Sequence, residues 1–195
     1  MLHLLHDFGY IGIILTIFGE IGLMLFFLPG DTLLFGSGLL IHRGVFPFWP
    51  IILIVFLTST IAGEFGYWLG TKMDRDTLTN NRFYKIKEKD LKYTEEFFQK
   101  YGVWAIIFSR FVPVVRNFIS PICGILKYDR KKYFLYNIVA SAIWPISVVT
   151  FGFYFGRFFP NLIRYVEVIM VIGILAVALP FILEVVKNSF RGKAN

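Results

Sequence analysis

Four apolar tracts set the problem that this chain has to solve. Residues 8–28, 51–70, 133–155 and 165–186 are each about as long as the ~20 residues a helix needs to cross ~30 Å of hydrocarbon, and a 195-residue chain would not need four of them for one soluble core. The composition points the same way, with 56% hydrophobic and 19% aromatic residues against 17% charged ones, an apolar share above that of ordinary soluble domains. The expected fold is an all-α polytopic membrane protein. No Lys or Arg precedes the first tract, Glu20 interrupts it and no small-residue cleavage site follows, so the tract is expected to stay in the mature protein and not to leave as a signal peptide.

The net charge of +7 raises nucleic acid as a partner, but the distribution of the bases gives a topological account instead. Eight of the 20 Lys and Arg residues lie in 72–100, four in 127–132, and three in the tail at Lys187, Arg191 and Lys193. Only Arg43, Arg157 and Arg164 fall in the other connections. By the positive-inside rule the first three stretches face the cytoplasm and the C-terminus is cytoplasmic. The single cysteine, Cys123, excludes an internal disulfide and reads as a packing residue. His3, His6 and His42 show no metal-ligand spacing with acids or with Cys123, so neither a metal nor a cofactor is expected.

Two of the apolar regions are broken. Pro29-Gly30-Asp31 interrupts the first, and Pro113 and Pro121 interrupt 103–126; proline removes a backbone donor and clashes with the preceding helical turn. Non-helical backbone at membrane depth is tolerated only where protein or water satisfies it, so such breaks line cavities. Pro29, Gly30, Pro113 and Pro121 are therefore expected as hairpin breaks. The two halves resemble each other in order: Phe8-Gly9 and Tyr101-Gly102 open them, Pro29 and Pro121 break them, and Gly66-Tyr67-Trp68-Leu69-Gly70 and Gly152-Phe153-Tyr154-Phe155-Gly156 close them.

The expected organisation is one membrane domain over 1–195. It comprises a first repeat at 8–70 (re-entrant hairpin 8–45, span 51–70), a charged connector at 71–100, a second repeat at 101–157 (hairpin 103–126, span 133–156) and an additional C-terminal span at 160–187. A hairpin that returns to its own side plus one crossing helix inverts each copy relative to the last, the inverted-repeat architecture of many transporters. Chance recurrence of glycines and aromatics in an aromatic-rich chain is the competing account. Within the connector, Leu91, Phe98 and Tyr101 at helical spacing beside Lys92, Glu95 and Glu96 predict an interfacial amphipathic helix.

Four ionisable residues stand inside the broken regions: Glu20 and Asp31 in the first, Arg110 and Arg116 in the second. Placing such a group at membrane depth costs at least ~2.5 kcal/mol on insertion scales, so it faces a cavity or a partner. Arginine suits a lipid phosphate, because its planar fork donates two parallel hydrogen bonds and keeps its charge when desolvated. Arg110 and Arg116 are the candidate phosphate ligands. Glu20 and Asp31 are the candidate proton-coupling groups, since burial favours the neutral carboxyl and a neighbouring arginine favours the carboxylate. Competing readings are ion pairs that only hold the hairpins together and, for Asp31, a helix N-cap. Glu64 is a secondary candidate, with a packing role equally open.

At these residues the sequence resembles the DedA family, within the wider SNARE-associated or VTT-domain superfamily. The resemblance rests on Glu20 followed by Phe27-Leu28-Pro29-Gly30-Asp31, on Gly63-Glu64-Phe65-Gly66-Tyr67-Trp68-Leu69-Gly70, and on Phe108-Ser109-Arg110-Phe111-Val112-Pro113-Val114-Val115-Arg116 running on to Ser120 and Gly124. It covers roughly residues 8–160, and departs at Thr71-Lys72, where many relatives have Gly-Arg. The resemblance implies facing re-entrant loops and movement of lipids between leaflets, of undecaprenyl phosphate or phosphatidylethanolamine in bacterial members. It also implies dependence on the proton motive force in some members, and functional positions at Glu20, Asp31, Arg110 and Arg116.

The leading expectation is a multi-pass inner-membrane transporter or flippase for a lipid phosphate, undecaprenyl phosphate first, linked to protons. A phospholipid flippase or scramblase is the alternative. A lipid phosphatase is disfavoured because no histidine accompanies the membrane arginines and no nucleophile or metal set is evident; a substrate-free envelope-homeostasis protein is the remaining class. The chain is therefore expected not to be an enzyme. Expected partners are membrane lipids and protons, without nucleic acid; a homo-oligomer is left open.

Overall fold

The structure, a computed structural model, describes residues 2–25, 28–73 and 87–159, with side chains from Gly9 onward. The expected C-terminal span 160–187, residues 74–86 of the connector, Phe27, and the side chains of His3 and His6 lie outside the described residues. The described residues form helices and no strand: α1 (Leu2–Gly22), α2 (Gly30–His42), α3 (Phe48–Lys72), α4 (Glu88–Tyr101), α5 (Trp104–Phe108), α6 (Pro113–Ile125) and α7 (Arg130–Phe158), with a 3-10 turn at Ser109–Phe111.

Prolines and polar caps set the helix starts. Pro29 and Pro47 occupy the N-cap positions of α2 and α3, and Pro113 is the first residue of α6, where its missing N–H would be unsatisfied in any case. Val112 before it is extended (φ −113°, ψ 104°), as the ring of a following proline requires. Asp129 caps α7, its carboxylate accepting from the Lys132 amide at 2.8 Å. In α4, Glu88 and Asp90 lie in the first turn and Lys100 in the last, each complementing the helix dipole. Gly102 ends α4 at φ +57° and ψ −132°, a conformation that glycine adopts without steric cost. Leu91 of α4 is buried against Phe118 and Ile122 of α6.

Among the described residues, α3 and α7 are long and apolar enough to cross a membrane; the 25 residues of α3 extend about 38 Å at 1.5 Å per residue. In α3 the two faces differ chiefly in side-chain size. Leu53, Leu57, Ile61 and Trp68 form the exposed face of α3, whereas Ile52, Val55, Ser59, Ala62, Gly63, Gly66 and Gly70 are turned inward. Large apolar groups outward and small groups inward is the pattern of a helix solvated by lipid and packed through close backbone approach.

The packing is crossed between the two halves of the chain. A Cβ at Gly70 or Gly124 would run into the opposing backbone of α6 or α3, and one at Gly38 or Gly152 into that of α7 or α2. Thus α3 lies tight against α6, and α7 tight against α2. Glu20, Asp31, Arg110 and Arg116 converge where these contacts meet α1.

Pro121 is a correction to the sequence reading. It does not break the second hairpin but lies inside α6, which continues to Ile125 because an interior proline removes one ladder bond while its neighbours keep theirs. Pro121 is also packed against Gly66 and Gly70 of α3. The interruption sits earlier, where the 3-10 turn hands over to Pro113 through Val112. The expected match of Pro29 with Pro121 as paired breaks therefore does not hold.

Candidate functional site

Two breaks in regular structure bring the charged residues together. The end of α1 carries Glu20, the start of α2 carries Asp31, and the α5–α6 break separates Arg110 from Arg116. On one continuous helix residues six apart would point about 240° away from each other; with the break between them, both arginines are turned inward and each is 2% exposed.

Arg116 is the hub of the ion pairs. Its Nη1 donates to Asp31 Oδ1 at 2.6 Å, its Nη2 donates to Glu20 Oε1 in a short contact, and its guanidinium lies 5.2 Å from the centre of the Trp144 ring, within range of a cation–π attraction. Glu20 is 2% exposed. The Asp31 side chain, at 46%, reaches the surface. Asp31 does not cap α2, whose N-cap is Pro29 without a side-chain bond; its carboxylate is turned to Arg116 instead. Gly30 lies against Glu20, and a Cβ there would collide with Oε2.

Arg110 is held differently. Its Nη2 donates to Asn137 Oδ1 at 2.6 Å, to Ser141 Oγ at 3.3 Å and to the Ser59 carbonyl at 3.4 Å, all of them neutral acceptors. Its Nη1 is buried without a hydrogen-bond partner among the described residues. Arg110 lies within electrostatic reach of both Arg116 and Glu20. The two acids do not divide between the two arginines. Both carboxylates bond to Arg116, and Arg110 has no directly bonded counter-ion among the described residues.

Glu64 is half-buried on α3 and its Oε1 accepts from Asn137 Nδ2 at 3.5 Å, so it joins the same network through a neutral amide. Three contributors on α7 were not singled out as site residues in the sequence. Asn137 links Arg110, Thr60 and Glu64; Tyr133 donates its hydroxyl to the Gly63 carbonyl at 2.9 Å and lies 2.8 Å from Ser120 Oγ; and Trp144 faces Arg116. Tyr133, Asn137 and Ser141 recur every fourth residue, one face of a helix, and that spacing inside an apolar tract was the available signal. Beside the site an apolar groove of about 670 Å³ runs between α3 and α7, lined by Trp49, Pro50, Leu53, Phe56, Ala142 and Ile146. No group of His, Cys, Asp and Glu that would hold a metal occurs among the described residues.

A buried cluster of acids and arginines at helix breaks, flanked by lipid-facing helices, is a membrane-transport type of site. Comparison with known proteins gives it a family. The VTT domain matches residues 28–154, and the chain belongs to that family, of which DedA is a member. Undecaprenyl phosphate transporter A of Bacillus subtilis (strain 168) is 30% identical over 92% of this chain and 90% of its own length. The protein of the same name from Staphylococcus aureus is 28% identical over 87% of each chain, and Protein DedA of Escherichia coli K12 is 25% identical over 92% of this chain and 83% of its own. Two of these relatives are named as transporters and the third by family, and none of the three as an enzyme. No solved structure matches.

Proposed function

We propose that this chain is a bacterial inner-membrane lipid transporter that carries a lipid phosphate, undecaprenyl phosphate, between leaflets in a cycle linked to the proton motive force. The observation that carries the reading is the unequal pairing of the two arginines: Arg116 bonds directly to Glu20 and Asp31, while Arg110 is buried among neutral acceptors without a directly bonded counter-ion among the described residues. A guanidinium at membrane depth without a directly bonded counter-ion is costly unless an anion visits it. The names of the relatives from Bacillus subtilis and Staphylococcus aureus supply the anion's identity.

In this reading Arg110 takes the phosphate first through Nη1, while Nη2 stays on its neutral acceptors. Protonation of Glu20, with Asp31 as the relay, weakens the hold on Arg116, which then joins Arg110 on the phosphate. Loss of that proton restores the ion pairs and drives the phosphate off. The partially exposed Asp31 gives the proton a route to the surface, and the apolar groove between α3 and α7 offers hydrocarbon chains a path adjoining Ser59 and Ser141. The only covalent change is proton transfer.

The architecture fits an inverted repeat of 8–70 and 101–157, each a re-entrant hairpin plus a span (51–70 and 133–156), with 160–187 as an additional span. The crossed packing of α3 on α6 and of α7 on α2 supports it, because each long helix then meets the second arm of the other unit. The connector and the C-terminus face the cytoplasm in this account.

Purified protein in liposomes loaded with labelled undecaprenyl phosphate or labelled phosphatidylethanolamine tests the reading. Leaflet-resolved transfer of the phosphate lipid, accelerated by an imposed pH gradient, is the expected result. Transfer of phosphatidylethanolamine alone would overturn the substrate, and indifference to the gradient would overturn the coupling.

A further inference from the structure

Asn137 occupies the place where an ion-pair partner of Arg110 would be expected. It is fully buried, its Oδ1 accepts from Arg110 Nη2 at 2.6 Å, and its Nδ2 donates to the Thr60 carbonyl at 3.0 Å and to Glu64 Oε1 at 3.5 Å. Those donor contacts fix which way the amide points, because only the oxygen side can face a guanidinium. Gly63 completes the seat: a Cβ at that position would lie 2.5 Å from Asn137 Oδ1 and 2.8 Å from Nδ2. The amide is thus held from three directions, and it holds one end of Arg110 while leaving Nη1 unpartnered.

We infer that Asn137 is a positioning residue for the lipid phosphate, and that its neutrality is the point of it. By accepting from Nη2 without carrying charge, it orients the Arg110 fork and separates Arg110 from the nearby Glu64 carboxylate, so the guanidinium keeps its full charge for an anion at Nη1. A carboxylate in the same place would make a buried ion pair of the kind Arg116 already has, and the phosphate would then compete with a permanent counter-ion. This inference rests on Arg110 being the phosphate ligand.

The test compares Asn137→Asp, Asn137→Ser and Asn137→Ala with Arg110→Lys in the full chain, using farnesyl phosphate in detergent micelles as the probe and farnesol as the phosphate-free control. Asn137→Asp keeps size and the Oδ1 acceptor but sets its second oxygen against the Thr60 carbonyl and Glu64 Oε1. The series is therefore read in a Glu64→Gln background, where Asn137→Asp is expected to melt above Asn137→Ala and yet bind farnesyl phosphate on the order of tenfold more weakly than its parent or worse, the scale of one charged hydrogen bond. Asn137→Ser and Asn137→Ala remove packing and amide contacts without adding charge, so they should melt lower and bind better than Asn137→Asp. A purely structural role predicts the opposite order, with affinity following melting temperature across the series, and that order would overturn the inference. An affinity in Asn137→Asp equal to that of its parent would overturn it as well. If Arg110→Lys also binds normally, the phosphate-ligand reading fails with it; if Arg110→Lys loses binding while Asn137→Asp does not, only the role of Asn137 falls.

Discussion

The backbone of Gly30 abuts the carboxylate of Glu20 so closely that a methyl group at position 30 would collide with Oε2. Glu20 belongs to α1 and Gly30 opens α2, so this approach is what lets the first break fold over its own acid and direct Oε1 to Arg116. Glycine at position 30 is needed here for space, not for an unusual φ.

Gly30→Ala should therefore act through Glu20. The carboxylate must turn away from Arg116, and a loss of ~1.4 kcal/mol of pairing corresponds to about a tenfold change in equilibrium. The expected outcome is a transport rate lowered about tenfold or more in a protein that still assembles, measured as lipid-phosphate transfer in liposomes. Unchanged transport would mean that the Glu20–Arg116 contact does not matter to the cycle.

Glu20→Gln keeps the size and one acceptor of the side chain but exchanges no proton. Arg116 retains Asp31 at 2.6 Å, so the buried guanidinium is not left without a counter-ion and the fold should persist. Transport should be abolished. Full activity with an unchanged pH profile would remove proton coupling through this residue.

Much of this site could be read in the sequence because charge inside an apolar tract is conspicuous. Glu20, Asp31, Arg110 and Arg116 stood out by type and position alone, as did the amphipathic character of α4 through Leu91. Which acid meets which arginine could not be read, since the Arg116 ion pairs span 85 and 96 residues and no spacing rule reaches that far. Asn137 was overlooked because one neutral amide scarcely alters the apolar character of its span, although burial makes it the partner of Arg110. Pro121 misled for a related reason: proline marks a lost ladder bond, but whether the helix ends there depends on what packs against it, here Gly66 and Gly70.

The crossed glycine contacts carry a stability prediction. Gly124 is packed on the Tyr67 carbonyl and the start of Thr71, so Gly124→Val forces α3 and α6 apart, at a cost of about 1–3 kcal/mol for overpacking. Thermal melting in detergent should fall clearly. Leu53→Ala, on the exposed face of α3, should leave it nearly unchanged. Equal effects from the two would mean that the α3–α6 contact is not a tight one.

The split of basic residues predicts a topology that labelling can test. Lys100 and Arg43 are both exposed, and Cys123 is buried, so the native thiol gives little background in a labelling experiment. In intact cells an impermeant maleimide should label Arg43→Cys and spare Lys100→Cys. The reverse pattern would invert the orientation of the whole domain.

The phosphate grip itself is tested most directly by affinity for a lipid phosphate in Arg110→Lys, set beside its melting temperature and those of Arg110→Ala. Lysine keeps the positive charge and loses the planar fork, so affinity should fall by an order of magnitude or more, the loss of one charged hydrogen bond costing about 1.5–3 kcal/mol, while the melting temperature changes little. An Arg110→Lys protein that binds the lipid phosphate as the wild type does, beside an Arg110→Ala protein that fails to fold, would contradict the account and leave Arg110 as a structural residue.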